Sequence, residues 1–248
     1  MKRRPVFAGL VLATLALSLT AQAAQFEHPD LKSGKTLVRS VLILPPQVKV
    51  TKAGVKGQEP LIEESQQLEA ALTGIVAKVL EEKGCKVLEN PFAPAGLEKD
   101  PDLKYALADI QGRFDALREQ LNRKPKDVRT GRFTLGDEVS KFNPGAAADA
   151  LVFIRGEGVL LTGGKVVFSA LAGGRARAQM QIKLNIAVVD ARSGAILYYG
   201  DPTVLGSFLM KNFMKDPEHM VKPIEKSFKN FVGPPASEKK ASASEQHY

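Results

Sequence analysis

Glycines beside basic residues are the first groups in this chain that could do chemistry: Gly156-Glu-Gly-Val-Leu-Leu-Thr-Gly-Gly-Lys165, with a second pair at Gly173-Gly174 before Arg175 and Arg177. Backbone N–H groups in such a loop can wrap a phosphate. A phosphate loop requires a glycine, four residues and then Gly-Lys-Ser/Thr at a helix start, where the hydroxyl holds magnesium and the helix end favours the anion. Here Gly158 is followed by Val-Leu-Leu-Thr and then Gly163-Gly164-Lys165-Val166, so the lysine falls one place late and the hydroxyl is missing. The flanking residues read as strands, and neither a nucleotide nor any other cofactor is expected. Two readings of the segment stay open. Gly163-Gly164 and Gly173-Gly174 are turn residues around a short apolar stretch, or Val166, Val167, Phe168 and Leu171 form an exposed apolar tip for a membrane or another subunit.

Other reactive residue types are sparse. His28, His219 and His247 are scattered, with neither an HExxH nor a paired-cysteine spacing, so no metal site is expected and each histidine reads as solvated. Ser193 lacks the Gly-x-Ser-x-Gly elbow that exposes a nucleophile. Cys85, the one cysteine, reads as a small packed side chain. Asp137, Glu138, Asp149, Glu157, Asp190 and Asp201 could supply the acid and base of a glycan or small-ligand hydrolase if two of them met. Their spacing does not predict a meeting, and Asp149, Asp190 and Asp201 read as turn and cap residues. No catalytic residue is assigned.

These groups need elements to hold them. Val38 to Leu44 is a β-branched apolar run stopped by Pro45 and Pro46, the pattern of a buried strand. After a loop with Gly54 and Gly57, Pro60 opens a helix with Glu63 and Glu64 in its first turn and Lys83-Gly84 at its end; Leu61, Leu68, Leu72, Ile75, Val76 and Val79 share one face. Cys85 to Glu89 is a second strand, giving a βαβ unit with parallel strands. Asp100-Pro101 starts another helix, striped by Leu103, Leu107, Ile110, Phe114, Leu117 and Leu121. A basic connector, Lys124 to Arg132, and a short helix from about Leu135 to Phe142 follow.

From Arg175 to Val188 apolar and polar residues alternate, as in a strand with one dry and one wet face and antiparallel neighbours. Ala150 to about Leu160 precedes it, and Asp190-Ala-Arg-Ser-Gly194 turns the chain into Ala195 to Tyr199. A last helix from Asp216-Pro217 turns Met220, Ile224, Phe228 and Phe231 inward. The fold class is therefore α/β (α+β): a single mixed sheet with an N-terminal parallel βαβ unit, a C-terminal antiparallel meander and helices packed mainly on one face. Its organisation is expected to be a signal peptide at 1–24, a polar lead-in at 25–36, one α/β domain at 37–232 and a disordered tail at 233–248.

Lys2, Arg3 and Arg4, the apolar run Val6 to Leu19 and small residues at Ala21 to Ala24 make the three-part layout of a secretory signal peptide, with the mature chain starting near Ala24 or Gln25. The run falls short of the ~20 residues that span a bilayer. No cysteine stands at the cleavage point to take a lipid, so a periplasmic location is expected, with outer-membrane association open. Formal charge drops from +8 to +5 once the three leader cations leave, too little to argue for nucleic acid. The connector also lacks the interleaved aromatics that stack bases.

Arg39-Ser-Val-Leu-Ile-Leu-Pro-Pro46, Ala148-Asp-Ala-Leu-Val-Phe-Ile154 and Val188-Val-Asp-Ala-Arg-Ser-Gly-Ala-Ile-Leu197 resemble the opening strand, a central strand and the turn hairpin of the CsgG-like, LpoB-like and TolB amino-terminal-domain envelope proteins. The resemblance covers about Val38 to Gly200. It implies a periplasmic, non-enzymatic interaction module in envelope assembly, secretion or transport, and carries over no catalytic residue. The expected contacts are Val166, Val167, Phe168 and Leu171 with the polar row Arg175, Arg177, Gln179, Gln181 and Lys183, toward an envelope protein partner. A homo-oligomer, and a peripheral contact with anionic lipid or cell-wall polymer through the basic connector, stay open as alternatives; nucleic acid is not expected.

Overall fold

Two long strands carry the sheet. β6 (Ala150–Leu161) and β7 (Met180–Asp190) pair antiparallel, from Ala150 opposite Asp190 to Leu160 opposite Met180. The computed structural model describes residues 24–54, 57–92, 97–98, 100–143, 147–161, 180–206 and 218–234. Each long strand outruns any one neighbour. The first half of β6 lies parallel to β2 (Ser40–Ile43) and its second half parallel to β3 (Gln47–Gly54). On the other side, the end of β7 pairs with β8 (Ile196–Gly200) and its start with β9 (Thr203–Gly206), both antiparallel. β1 (Gln25–Glu27) beside β8, β5 (Lys86–Val87) parallel to β2, and β4 (Gly57–Pro60) in a hairpin with β3 complete one mixed sheet. The sheet thus has two storeys, a base ordered β1-β8-β7-β6-β2-β5 and an upper part ordered β9-β7-β6-β3-β4.

The helices follow local chemistry. α1 (Pro29–Lys32) is one turn; α2 (Ile62–Glu82) buries Leu68, Leu72, Ile75, Val76 and Val79 and stops at Gly84, whose φ of +96° a side chain would resist. α3 (Pro101–Arg123) is capped by the Asp100 carboxylate, which accepts from the N–H groups of Asp102 and Leu103, and Pro101 fits the first turn because its missing N–H is not needed there. Short 3-10 turns cover Pro125–Thr130 and Asp137–Phe142, and α4 (Glu218–Ser227) precedes Phe228 and Phe231.

Alternation along each base strand splits the core in two. Val41, Ile43, Val152, Ile154, Ile186 and Val188 face α2 and α4, while Leu42, Leu44, Leu151, Phe153, Ala187 and Val189 face α3 and the 3-10 turns. Helices therefore cover both faces, not mainly one. The α3 stripe has no other apolar surface to meet, since α2 and α4 already fill the first face.

Other departures have equally local causes. The segment after Pro45-Pro46, read as a loop, holds the β3–β4 hairpin; Val48 and Val50 alternate with Gln47 and Lys49, too short a run to stand out from the prolines and glycines around it. The lead-in is part of the sheet: Phe26 and Leu31 are buried, and β1 hydrogen-bonds β8. His28 is not a solvated side chain. It is half-buried, and its Nδ1 accepts from the Asp30 N–H at 3.1 Å to cap α1. Cys85 packs as expected, buried with its thiol directed at the Val38 carbonyl. At the β7–β8 turn, the Asp190 carboxylate accepts from the Arg192 and Ser193 N–H groups, and Gly194 at φ +71° leaves room for Gly136 where a Cβ would collide. Among the described residues, no helix is long and apolar enough to cross a membrane.

Candidate functional site

Arg155 stands where the base of β6 gives way to its upper half. The side chain is 3% exposed, and its Nε donates to Asp115 Oδ1 at 2.6 Å, with further bonds to the Gln111 carbonyl at 3.1 Å and the Ile154 carbonyl at 3.3 Å. Its guanidinium lies 5.4 Å from the centre of the Phe114 ring, which in turn stacks on Phe153 at 4.5 Å. Burial pulls this guanidinium below its ordinary range while Asp115 pulls the other way. An arginine stays charged through such opposition, so the site is a buried cation held by one carboxylate, two carbonyls and a ring face. It ties β6 to α3 at the last level the helix covers. Asn122 marks the same level: its Oδ1 accepts from Tyr199 Oη at 2.6 Å and from Asn185 Nδ2 at 3.3 Å.

Beyond that seam the face is open. Lys49, Glu157, Lys183 and Thr203 are register partners across β3, β6, β7 and β9, and the first three are exposed. Opposite charges side by side on neighbouring strands favour this pairing. Glu157 also accepts from Arg118 at 3.1 Å, yet its side chain remains 67% exposed. The other face of the same strands is dry. Gly156 and Gly158 point there, and the side chains of Val48, Leu184, Val50 and Ile182 fill the space, lying 3.0–3.3 Å from where a Cβ would sit. These glycines, singled out for a phosphate loop, are mid-strand packing positions.

A hollow of about 500 Å³ opens on the wet face between Asn122, Glu157, Lys183, Asn185, Asp201 and Thr203. It brings together two of the six candidate acids. Burial raises Asp201 above the usual carboxylate range against two backbone hydrogen bonds, one of them from the Ala24 N–H at 2.7 Å. Burial, reinforced by Asp201, also raises the Tyr199 phenol. The remaining acids stay apart: Asp149 accepts from the Arg39 and Ser40 N–H groups, Asp190 holds its turn, Glu138 pairs with Arg113, and Asp137 starts a 3-10 turn.

Of the expected contact residues, Gln181 and Lys183 are exposed on this face; Asn185, the next polar residue along the strand, is half-covered through Asn122. Val166, Val167, Phe168, Leu171, Arg175, Arg177 and Gln179 lie outside the described residues. Sequence reasoning missed Arg155 and the strand β3. A lone arginine ending the run Leu-Val-Phe-Ile was the available signal, because a charge in line with inward residues needs a partner. The basic connector is a 3-10 turn anchored by buried Val128, with Arg129 5.5 Å from the centre of the Phe26 ring. Arg123, Lys124 and Arg132 rim a second hollow of about 530 Å³ beside it. Among the described residues no three His, Cys, Asp or Glu side chains gather as a metal would require.

No protein-family model matches the chain, and no curated protein does. Solved structures similar to it include a PelC dodecamer variant from Paraburkholderia phytofirmans, at 10% identity and TM-score 0.39 over 85% of this chain and 98% of that one. Lipoprotein GNA1162 from Neisseria meningitidis is also similar, at 14% identity and TM-score 0.39 over 74% of this chain and 98% of that one. Likenesses this distant transfer neither role nor assembly.

Proposed function

We propose that the protein is an exported, non-enzymatic accessory of the bacterial envelope that works by binding a protein partner through the upper half of its sheet. One observation carries the reading: a charged row, Lys49, Glu157 and Lys183, stays exposed on the sheet face that α3 borders through Arg118 on Glu157, while the opposite face is packed. A fixed row of alternating charge on a rigid sheet is suited to partner selection, since matched charges guide encounter and mismatched ones repel. The sequence resemblance to envelope interaction domains supports the same reading. Photo-crosslinkers at Gln181 and Lys183 in the intact envelope should yield one discrete adduct that a crosslinker at exposed Glu119 does not. Identical adducts from all three positions would overturn the proposal. Replacing Phe168 and Leu171 by Ser tests the apolar tip, with loss of partner capture in a pull-down expected.

The cationic hollow favours a second reading, contact with an anionic lipid or cell-wall polymer through Arg123, Lys124 and Arg132. Salt separates the two: charge-driven pelleting with anionic vesicles or cell wall fades as the ionic strength rises, whereas a packed protein interface persists.

A further inference from the structure

The chain's expected processing point and one half-buried carboxylate meet in space. Small residues three and one places before a scissile bond mark signal-peptide cleavage, and Ala21-Gln22-Ala23 puts that bond between Ala23 and Ala24. Ala24 is held at both backbone groups by a single residue: its N donates to Asp201 Oδ1 at 2.7 Å, and its carbonyl accepts from the Asp201 N–H at 3.3 Å. Next to it, Gln25 opens the ladder of β1 on β8, and its side chain reaches the Lys226 carbonyl and the Asn230 N–H.

We infer that export creates the partner Asp201 is built for: cleavage turns the Ala24 amide into an α-ammonium that pairs with the Asp201 carboxylate and locks β1 onto the sheet. The hydrolysis takes up one water and leaves a carboxylate on Ala23 and an amine on Ala24, which is protonated at neutral pH. While Ala24 is an amide, burial raises the Asp201 carboxyl against the two neutral backbone N–H bonds that lower it, from Ala24 and from Asp201 itself. Lys183 and Glu157 share the adjoining hollow and Tyr199 lies alongside, so Lys183 is the competing cation and Glu157 the competing anion. Because Asp201 lines that hollow, processing also changes the charge beside the proposed partner surface. The inference rests on the leader reading and is independent of which partner binds.

The full chain, exported with its own leader and purified from the envelope, supplies the test. Its intact mass should begin at Ala24. A different first residue would overturn the maturation step whatever the partner experiment finds. Selective acetylation of the α-amine at pH 7 should lower the melting temperature by about 2–4 °C, the shift that about 1 kcal/mol makes in a chain of this size. The gap between free and acetylated chains should vanish in Asp201→Asn. Asp201→Asn should itself lower the melting temperature of the free chain and not that of the acetylated one. The sign in pH follows from both partners. An amine raised by an anion keeps its contribution below its unfolded pKa and loses it as pH rises through the folded value. The ionised carboxylate is lost as pH falls, so the gap is largest near neutrality. Should Asp201→Asn fail to fold, an NMR titration of the α-amine in the native chain decides: titration above the ordinary range of ~7.7–8.0 is expected. An ordinary value, or equal melting of free and acetylated chains, would overturn the ion pair.

Discussion

The base and the upper storey of the β6–β7 ribbon differ in one respect, whether the second face is covered. At the base, Ala150 to Ile154 are all fully buried because α2 and α4 lie on one side and α3 on the other. Three to five residues further on, the same strand shows Glu157 and Val159 to solvent on the α3 side, while Gly156 and Gly158 still face a packed core. Wetness therefore depends on the level reached along a strand, and not on which strand it is. Arg155 sits at the change of level and lets a charged group close the apolar stack of Phe114 and Phe153.

Substitutions on one strand can break or sharpen that contrast. Phe153→Ala at the base should cost about 3–5 kcal/mol, as truncating a buried aromatic does, measured by urea unfolding. Arg155→Ala at the seam should cost about 2–3 kcal/mol, since it removes the buried guanidinium's bonds to two carbonyls and its packing on Phe114, while half-exposed Asp115 can turn to water. Arg155→Met, which keeps the volume over Phe114, should lose less; an equal loss would mean that packing contributes nothing at the seam. Gly156→Ala should cost about 1–3 kcal/mol, because its Cβ meets Val48 and Leu184 at 3.0–3.1 Å, and Gly158→Ala less, at 3.3 Å. Val159→Ala and Lys183→Ala on the open face should stay within about 0.5 kcal/mol, and Lys183→Ala should still weaken partner capture. A large destabilisation by Val159→Ala would show that the upper face is covered.

Local pattern makes much of this legible. The α2 and α3 stripes, the Asp100 cap and the Gly194 turn each depend on residues within a few positions of one another, so the sequence carries them directly. The parallel pairing of β2 with β5 and the antiparallel pairing of β7 with β8 follow from connection length. The β3–β4 hairpin and β1 were harder to see because β1 and β4 have only three or four residues and β3 carries just Val48 and Val50 as large apolar residues, too few alternations to outweigh nearby prolines and glycines. In the candidate site, Gln181 and Lys183 were readable from period-two alternation, whereas Arg155 with Asp115, and Glu157 with Asp201, join residues about forty positions apart.

By itself, then, the sequence determined the long helices, the strands β2, β5, β6, β7 and β8, and the face each of those helices turns inward, since hydrophobic periodicity and capping act over one or two turns of chain. Only the tertiary structure decided that the helices divide between two faces, that α3 stops at the level of Arg155, and that Ala24 lands on Asp201. Those outcomes depend on how far each element reaches across its neighbours, and reach is a property of the packed molecule.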